Sequence, residues 1–324
     1  MRLHHDFIWS MLVHIGTNLW YEEGNARCDC STLYHTPATP YLRFDRAIYD
    51  EHINDIVANG LNAVVIDLAD AMIFDSHPEL AIEGSFTKEE MRQELDRLNS
   101  LGLEVIPKLN FSATHDTWLK QYSRMLSTDI YYKVCSDLID EVCELFEPRY
   151  FHIGFDEEGI EHQAKYDYVV IRNNDLWWHD LKFLASCVEK HGARALVWSD
   201  YARNRPDEFV EKLPKSVIPV NWYYFTDYGE DMEEWKRIRV APFNIFEAHG
   251  FDQIPGGSVE YHKENMELLA KYCKEHISPE HLLGFIQTTW VSLEPKYKEQ
   301  LHVAAVTTGE AKAVYEKTAA KGTV

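Results

Sequence analysis

Short apolar runs alternate with longer amphipathic segments from one end of the chain to the other, and this alternation decides most of what the fold can be. Runs at 8–15, 63–67, 103–109, 150–155, 195–199, 217–222, 243–247 and 284–289 have the length and the branched or aromatic content of buried strands. Between them, 49–59, 88–101, 130–146, 176–191, 206–212, 231–238 and 260–276 repeat apolar residues at helical spacing. Gly60, Gly102 and Gly192 each follow a helix and precede a strand, where a left-handed C-cap belongs. Eight β units alternating with helices predict an α/β chain closed into a (β/α)8 TIM barrel. An open doubly wound sheet is the alternative, but no G-x-G-x-x-G follows the first strand. No linker or low-complexity block interrupts the pattern, so 1–324 reads as a single barrel domain.

Charge narrows the partner. Asp and Glu number 53 against 32 Lys and Arg, a net charge of −21, and a chain of that sign makes a poor scaffold for nucleic acid. Hydrophobic residues make up 45% of the chain, enough for a large packed core, while residues 1–12 mix Arg2, His4, His5 and Asp6 with apolar ones. That segment resembles neither a signal peptide nor a membrane span, so a cytoplasmic protein with no membrane partner is expected. Cysteines at 28, 30, 135, 143, 187 and 273 are scattered and expected to be reduced thiols. Cys28 and Cys30 form a C-x-C with no second pair at metal spacing, so no zinc, other metal or cofactor is expected.

In a barrel of this kind, chemistry sits at the C-terminal strand ends. Reading those outlets collects Asn18, Trp20, Asp67, Asp70, Asn110, His115, Asp156, Glu157, Asp200, Trp222, Tyr223, Glu247, His249, Trp290 and Glu294. Carboxylates, imidazoles and indoles together suit a carbohydrate, whose hydroxyls need partners and whose C–H faces stack on rings. An acidic doublet alone means nothing in so acidic a chain. Asp156-Glu157 differs because it ends the run Tyr150-Phe151-His152-Ile153-Gly154-Phe155. Strand alternation turns Phe151, Ile153 and Phe155 toward the helices and His152, Gly154 and Asp156 toward the barrel interior. A carboxylate and an imidazole buried at an outlet are either used in chemistry or paired in a salt-bridge network closing the barrel mouth.

The segment YFHIGFDE, 150–157, resembles the H-x-G-G-D-E segment of glycoside hydrolase family 20, the β-N-acetylhexosaminidases, with Phe155 in place of the second glycine. Residues 61–70 are similar to that family's second-strand segment, and 102–110, GLEVIPKLN, to its G-I-E-V-I-P-E-I-D strand, with His115 near the following histidine. Residues 195–200 resemble its W-x-[DE] strand, and 283–290 its last strand, which ends in Trp. The resemblance implies an exo-acting hydrolase in which the substrate's own 2-acetamido oxygen attacks the anomeric carbon, an exception to two-carboxylate catalysis. It implies Glu157 as general acid and Asp156 as the group that orients the acetamide. Beside negative Asp156, Glu157 is expected to have a raised pKa. Trp198, Trp222 and Trp290 would wall the sugar and Tyr223 would bond the acetamido oxygen, with Asn18, Asp67, His115, His152, Asp200, Glu247 and Glu294 as further substrate contacts.

Three positions depart from the family pattern. The first strand carries His14 and Asn18 and no Arg, position 108 is Lys where the family has an acid, and the acid after Trp290 is Glu294, four residues on. The small N-terminal α/β domain common in the family is also absent from 1–324. Two other readings accommodate the outlets. One is a sugar isomerase or epimerase holding Mn²⁺, Mg²⁺ or Co²⁺ through Glu157, Asp200, Glu247 and His249. The other is a carbohydrate-binding barrel without activity.

Overall fold

The computed structural model describes residues 2–25, 36–229 and 231–319. Its eight strands are β1 (Ile8–His14), β2 (Ala63–Asp67), β3 (Glu104–Lys108), β4 (Tyr150–His152), β5 (Arg194–Trp198), β6 (Ile218–Val220), β7 (Gly256–Ser258) and β8 (Gly284–Thr288). All neighbours pair in parallel in the order β6-β5-β4-β3-β2-β1-β8-β7. The ring closes beyond the named strands, where Trp222 bridges Gly256 and the Gly256 N–H donates to the Asn221 carbonyl at 2.8 Å. Between strands run α1 (Arg46–Ala58), α2 (Lys88–Ser100), α3 (Asp129–Phe146), α4 (Ile160–Gln163), α5 (Asp175–Glu189), α6 (Tyr201–Asn204), α7 (Pro206–Lys212), α8 (Glu234–Ala248) and α9 (Asn265–His276), and α10 (Lys298–Ala319) follows β8. The expected (β/α)8 TIM barrel is the fold.

Strand parity divides the core in two. Met11, Val13, Val64, Ile66, Phe151 and Val197 face the helices. Leu12, Val65, Ile106, Leu196, Ile218 and Ile286 fill the barrel interior. Helix ends follow local chemistry: Thr87 and Glu90 form a capping box on α2, and Gly60, Gly102 and Gly192 all have positive φ. Cys135, Cys143, Cys187 and Cys273 are free and buried; Cys28 and Cys30 lie outside the described residues. Among the described residues no helix is long and apolar enough to cross a membrane.

The seventh unit differs from expectation. Residues 243–247 are not a strand but the last turns of α8, which place Val240, Phe243 and Phe246 on one buried face. A five-residue apolar run fits either period, and here the helical one wins because it continues an amphipathic pattern begun at Glu234. The strand is Gly256–Ser258, which no apolar run marks. At Gly256 an added Cβ would lie 3.2 Å from Trp222 Cβ and 3.3 Å from Trp198 Cζ3, so the barrel wall passes close beneath two indoles there. Since α8 runs antiparallel to the strands, its C-terminal end sits at the strands' N-terminal face. Glu247 therefore pairs with His281 at 3.0 Å, and His249 caps the helix, at the end of the barrel opposite the outlets.

The closing helix α10 also escapes the periodicity reading. Its inner face, Leu301, Ala304, Ala305, Thr308 and Ala311, is made mostly of small residues, which lets it approach α1 closely. At Gly309 an added Cβ would sit 2.6 Å from the Asn59 carbonyl.

Candidate active site

The β4 outlet is built from three left-handed residues, Gly154 (φ 79°), Phe155 (φ 73°) and Glu157 (φ 56°). Such geometry is strained for Phe and Glu, costing about 1–3 kcal/mol each, and persists only where packing over-determines it. Phe155 is held edge-on to Trp177 at 5.3 Å, with the Arg172 guanidinium 4.1 Å over its ring. Glu158 anchors the far side, accepting from Arg172, from Trp177 Nε1 at 2.9 Å and from Ala113 N at 2.8 Å. The turn thus sends Asp156 and Glu157 toward the barrel mouth while Glu158 points into the surrounding helices. Trp290 (φ 50°) is similarly left-handed at the β8 outlet.

Asp156 is buried and tightly held. Asn110 Nδ2 donates to its Oδ1 at 3.0 Å, Ser112 Oγ donates to its carbonyl, and Thr114 Oγ1 does so at 3.2 Å. His115 lies between the two carboxyls, with Nδ1 3.2 Å from Asp156 Oδ1 and Nε2 3.5 Å from Glu157 Oε2. Asp200 accepts the Glu157 N–H at 2.8 Å. Both carboxyl groups line a cavity of about 650 Å³, together with Asn110, His115, Trp198, Trp222, Tyr224 and Trp290. Tyr224 accepts from Trp290 Nε1 at 3.1 Å, which fixes that wall. A second cavity of about 720 Å³ meets the first at Glu157.

Burial pushes His115 toward neutrality, but the Asp156 charge and the hydrogen bonds to Asp156 and Glu157 win and lift it to about 9. Burial would raise Asp156, yet the His115 charge and hydrogen bond, Lys108 and Asn110 hold it well below the usual carboxylate range. Glu157 corrects an expectation. Burial and Asp156 do raise it, but the hydrogen bond and charge of His115 outweigh them, so its pKa is lowered, not raised. In the free protein the proton of this pair sits on His115, 3.5 Å from Glu157 Oε2. The pair shares that proton and loses it only at the upper pKa. Burial also lifts Asp200 to about 6, against the pull of Arg203.

One prediction follows from this sharing. The alkaline limb of kcat/KM is expected near pH 9, the value for His115. In His115→Gln the limb moves to lower pH, since Glu157 then holds its proton alone. A pH–rate profile checks this, and an unmoved limb would show that His115 does not share the proton. A second concerns Gly154, where an added Cβ would sit 1.9 Å from Asn110 Oδ1. Gly154→Ala is expected to displace Asn110 from Asp156, lowering kcat/KM at least about tenfold and stability by about 1–3 kcal/mol. Steady-state kinetics and thermal melts measure the two effects.

Other residues expected at the site are scattered more widely. Trp198, Trp222, Trp290 and His115 line the main cavity. His152 is buried beneath it, its ring 4.4 Å from Trp198, and Asp67 lies deeper still in an ion cluster with Lys108 and with His14 at 3.2 Å. Asn18 donates to Asp70 Oδ2 at 2.7 Å and lines a separate cavity of about 450 Å³. Glu294 binds Ser292 Oγ and Lys296 and does not line the main cavity. Asp200 lines the second cavity. Tyr223 is a correction: it packs outward, its hydroxyl donating to the Asp227 carbonyl at 2.8 Å, and Tyr224 takes its place in the pocket. Consecutive strand residues face opposite ways, so Trp222 and Tyr223 cannot both face inward, and parity alone would have selected Tyr224. Glu247 is remote from this site. Trp235, Arg239 and Lys165, which also line the cavity, come from helices and loops folded over the mouth and carry no local signal.

Among the described residues, His115, Asp156 and Glu157 offer ligand atoms within 4.8 Å of one another, as a metal site would. A cation there would have to displace the His115 proton. The isomerase ligand set is dismantled, because Glu247 and His249 lie at the opposite end of the barrel.

Residues 109–237 match the family model described as glycosyl hydrolase family 20, catalytic domain. A lacto-N-biosidase from Bifidobacterium bifidum is 21% identical over 200 residues, covering 54% of this chain and 18% of that protein. The chain therefore spans less than a fifth of the length of the curated relative it matches. Among solved structures, a β-N-acetylhexosaminidase from Bacteroides fragilis superposes with a TM-score of 0.63 at 13% identity, covering 97% of this chain and 69% of that one. A mutant Streptomyces plicatus β-hexosaminidase in complex with its product GlcNAc gives 0.61 at 15% identity, with the same coverage. The stretch that resembles the glycosyl hydrolase family 20 catalytic domain contains the strained β4 outlet, and the (β/α)8 barrel around it is the fold shared with these solved structures over nearly the whole chain.

Proposed function

We propose that the chain is an exo-acting glycosidase that removes a terminal non-reducing N-acetylhexosamine by substrate-assisted, retaining catalysis. The observation that carries this reading is the pair of inward carboxyls at the β4 outlet, bridged by His115, in a cavity walled by Trp198, Trp222, Tyr224 and Trp290. The sugar stacks on the indoles. Asp156, held ionised, accepts the acetamido N–H and stabilises the positive charge that develops as the acetamido oxygen bonds to the anomeric carbon. Glu157, taking the shared proton from His115, delivers it to the leaving glycosidic oxygen as that C–O bond breaks. Water then attacks the anomeric carbon, giving its proton back to Glu157 and reopening the ring formed by the acetamide. Lacto-N-biosidase and β-hexosaminidase similarity supports the substrate class. No step calls on a metal or cofactor.

The test is a panel of nitrophenyl glycosides with and without the 2-acetamido group, assayed with and without EDTA. Release of nitrophenol from the 2-acetamido members, unaffected by EDTA, is the expected result. Binding of N-acetylhexosamine without turnover would favour the inactive carbohydrate-binding barrel, and activity restored by Mn²⁺ or Mg²⁺ after EDTA would require a metal-dependent mechanism.

A further inference from the structure

The cavity of about 720 Å³ on the other side of Glu157 has its own chemistry. Glu157 lines both cavities, whereas Asp156 lines only the first. If Asp156 grips the acetamide of the departing sugar, a reading taken from the proposed function, the leaving group protonated by Glu157 lies on the side away from Asp156. That side is the second cavity.

Its walls run against the sign of the chain. In a protein with a net charge of −21, Arg203, Arg205 and Arg239 all line this one cavity. Among the described residues none of the three has a carboxylate within 4.0 Å. Their hydrogen bonds go to neutral acceptors: Arg203 to the Trp222 carbonyl at 3.1 Å, Arg239 to the Trp235 carbonyl at 3.1 Å, and Arg205 to Asn173 Oδ1 at 3.0 Å and the Tyr201 hydroxyl. Each guanidinium also lies over an aromatic ring of the same wall, Arg203 over Trp222 at 3.7 Å, Arg239 over Trp235 at 5.1 Å and Arg205 over Tyr201 at 5.1 Å. Stacking fixes the plane and leaves N–H edges for a planar or tetrahedral anion. Arg203 Nε is buried and donates to nothing. The fourth arginine, Arg172, is already neutralised by Glu158 and Asp180. Of the remaining acids, Glu161 is largely exposed, Asp200 attracts Arg203 without contacting it and is itself raised to about 6 by burial, and Glu157 is neutral in the state that donates its proton. A neutral sugar would leave Arg205 and Arg239 without an anionic partner.

We propose that the second cavity is a leaving-group site for an anionic sugar, whose carboxylate or sulfate is held by Arg203, Arg205 and Arg239. The test uses β-linked N-acetylhexosaminyl disaccharides whose second sugar is glucose, glucuronic acid or glucose 6-sulfate. Each is assayed for kcat/KM by release of N-acetylhexosamine, and for Kd by equilibrium dialysis in a Glu157→Gln background, which consumes such substrates about 10²- to 10⁴-fold more slowly. With the three arginines in place, at least one anionic disaccharide is expected to be favoured over the neutral one by about tenfold in both quantities, the equivalent of one charge-assisted contact. The better of the two anions identifies carboxylate or sulfate. In Arg203→Gln and Arg205→Gln that ratio falls toward one. Because each ratio is taken within a single preparation, partial misfolding of a variant cancels. A native ratio near one, or one unchanged in both variants, overturns the proposal. Absence of turnover with every disaccharide would overturn the hydrolase reading instead, and the Kd ratios would still decide the anion site.

Discussion

Glu157→Gln is expected to lower kcat/KM for alkyl N-acetylhexosaminides by about 10²- to 10⁴-fold, the usual contribution of a positioned proton donor. The amide keeps the shape of the side chain and its place beside His115, 3.5 Å away, but has no proton to give to the leaving oxygen. Dependence on the leaving group is the sharper readout. A nitrophenolate leaves without protonation, so the loss shrinks as the leaving-group pKa falls, and a plot of log(kcat/KM) against that pKa becomes steeper in the variant. His115→Gln reports on the other half of the same proton through its pH profile. A Glu157→Gln loss of equal size for alkyl and aryl substrates would remove Glu157 from the acid role and leave it a structural part of the strained outlet.

Asp156→Asn is expected to act on a different bond. In the proposed mechanism, ring closure of the acetamide onto the anomeric carbon develops positive charge that the ionised Asp156 faces, and removing a preorganised charge of this kind lowers rates by about 10²- to 10³-fold. The loss is independent of the leaving group but depends on the substrate's 2-substituent. Native protein should hydrolyse 2-acetamido glycosides faster than 2-hydroxy ones, and Asp156→Asn should remove most of that preference. The substitution also takes from His115 the charge that raises it most, so the alkaline limb moves to lower pH in the same variant. Equal hydrolysis of both substrate types, slowed alike by Asp156→Asn, would identify Asp156 as a nucleophile or an anchor. The family 20 mechanism would then be wrong for this barrel even with the barrel correct.

Seven of the eight strands and the β4 outlet were legible in the sequence, because a buried strand and its turn are specified by neighbours along the chain. Phe151, Ile153 and Phe155 alternate with His152 and Gly154 whatever surrounds them, and alternation alone assigns them to opposite faces. The glycine strand Gly256–Ser258 was not legible, since its reason for being small is the indoles of Trp198 and Trp222 lying against it. Nor was α10, whose Ala-rich face reflects the close approach of α1.

The site divides along the same line. Asp156 and Glu157 follow from a local motif, but the direction of the Glu157 pKa does not. The sequence places a like charge next to Glu157, and only the fold brings His115 to it from the loop after β3. A contact 3.5 Å away in space outweighs one a single residue away in the chain, because buried charges interact through distance and desolvation, not through sequence order. The same reason separates Glu247 from the outlets and gathers Arg203, Arg205 and Arg239 around one cavity. The local alternation of the chain determined the barrel and the place of its inward carboxyl pair; which charges face that pair was decided by helices and loops whose positions only tertiary packing sets.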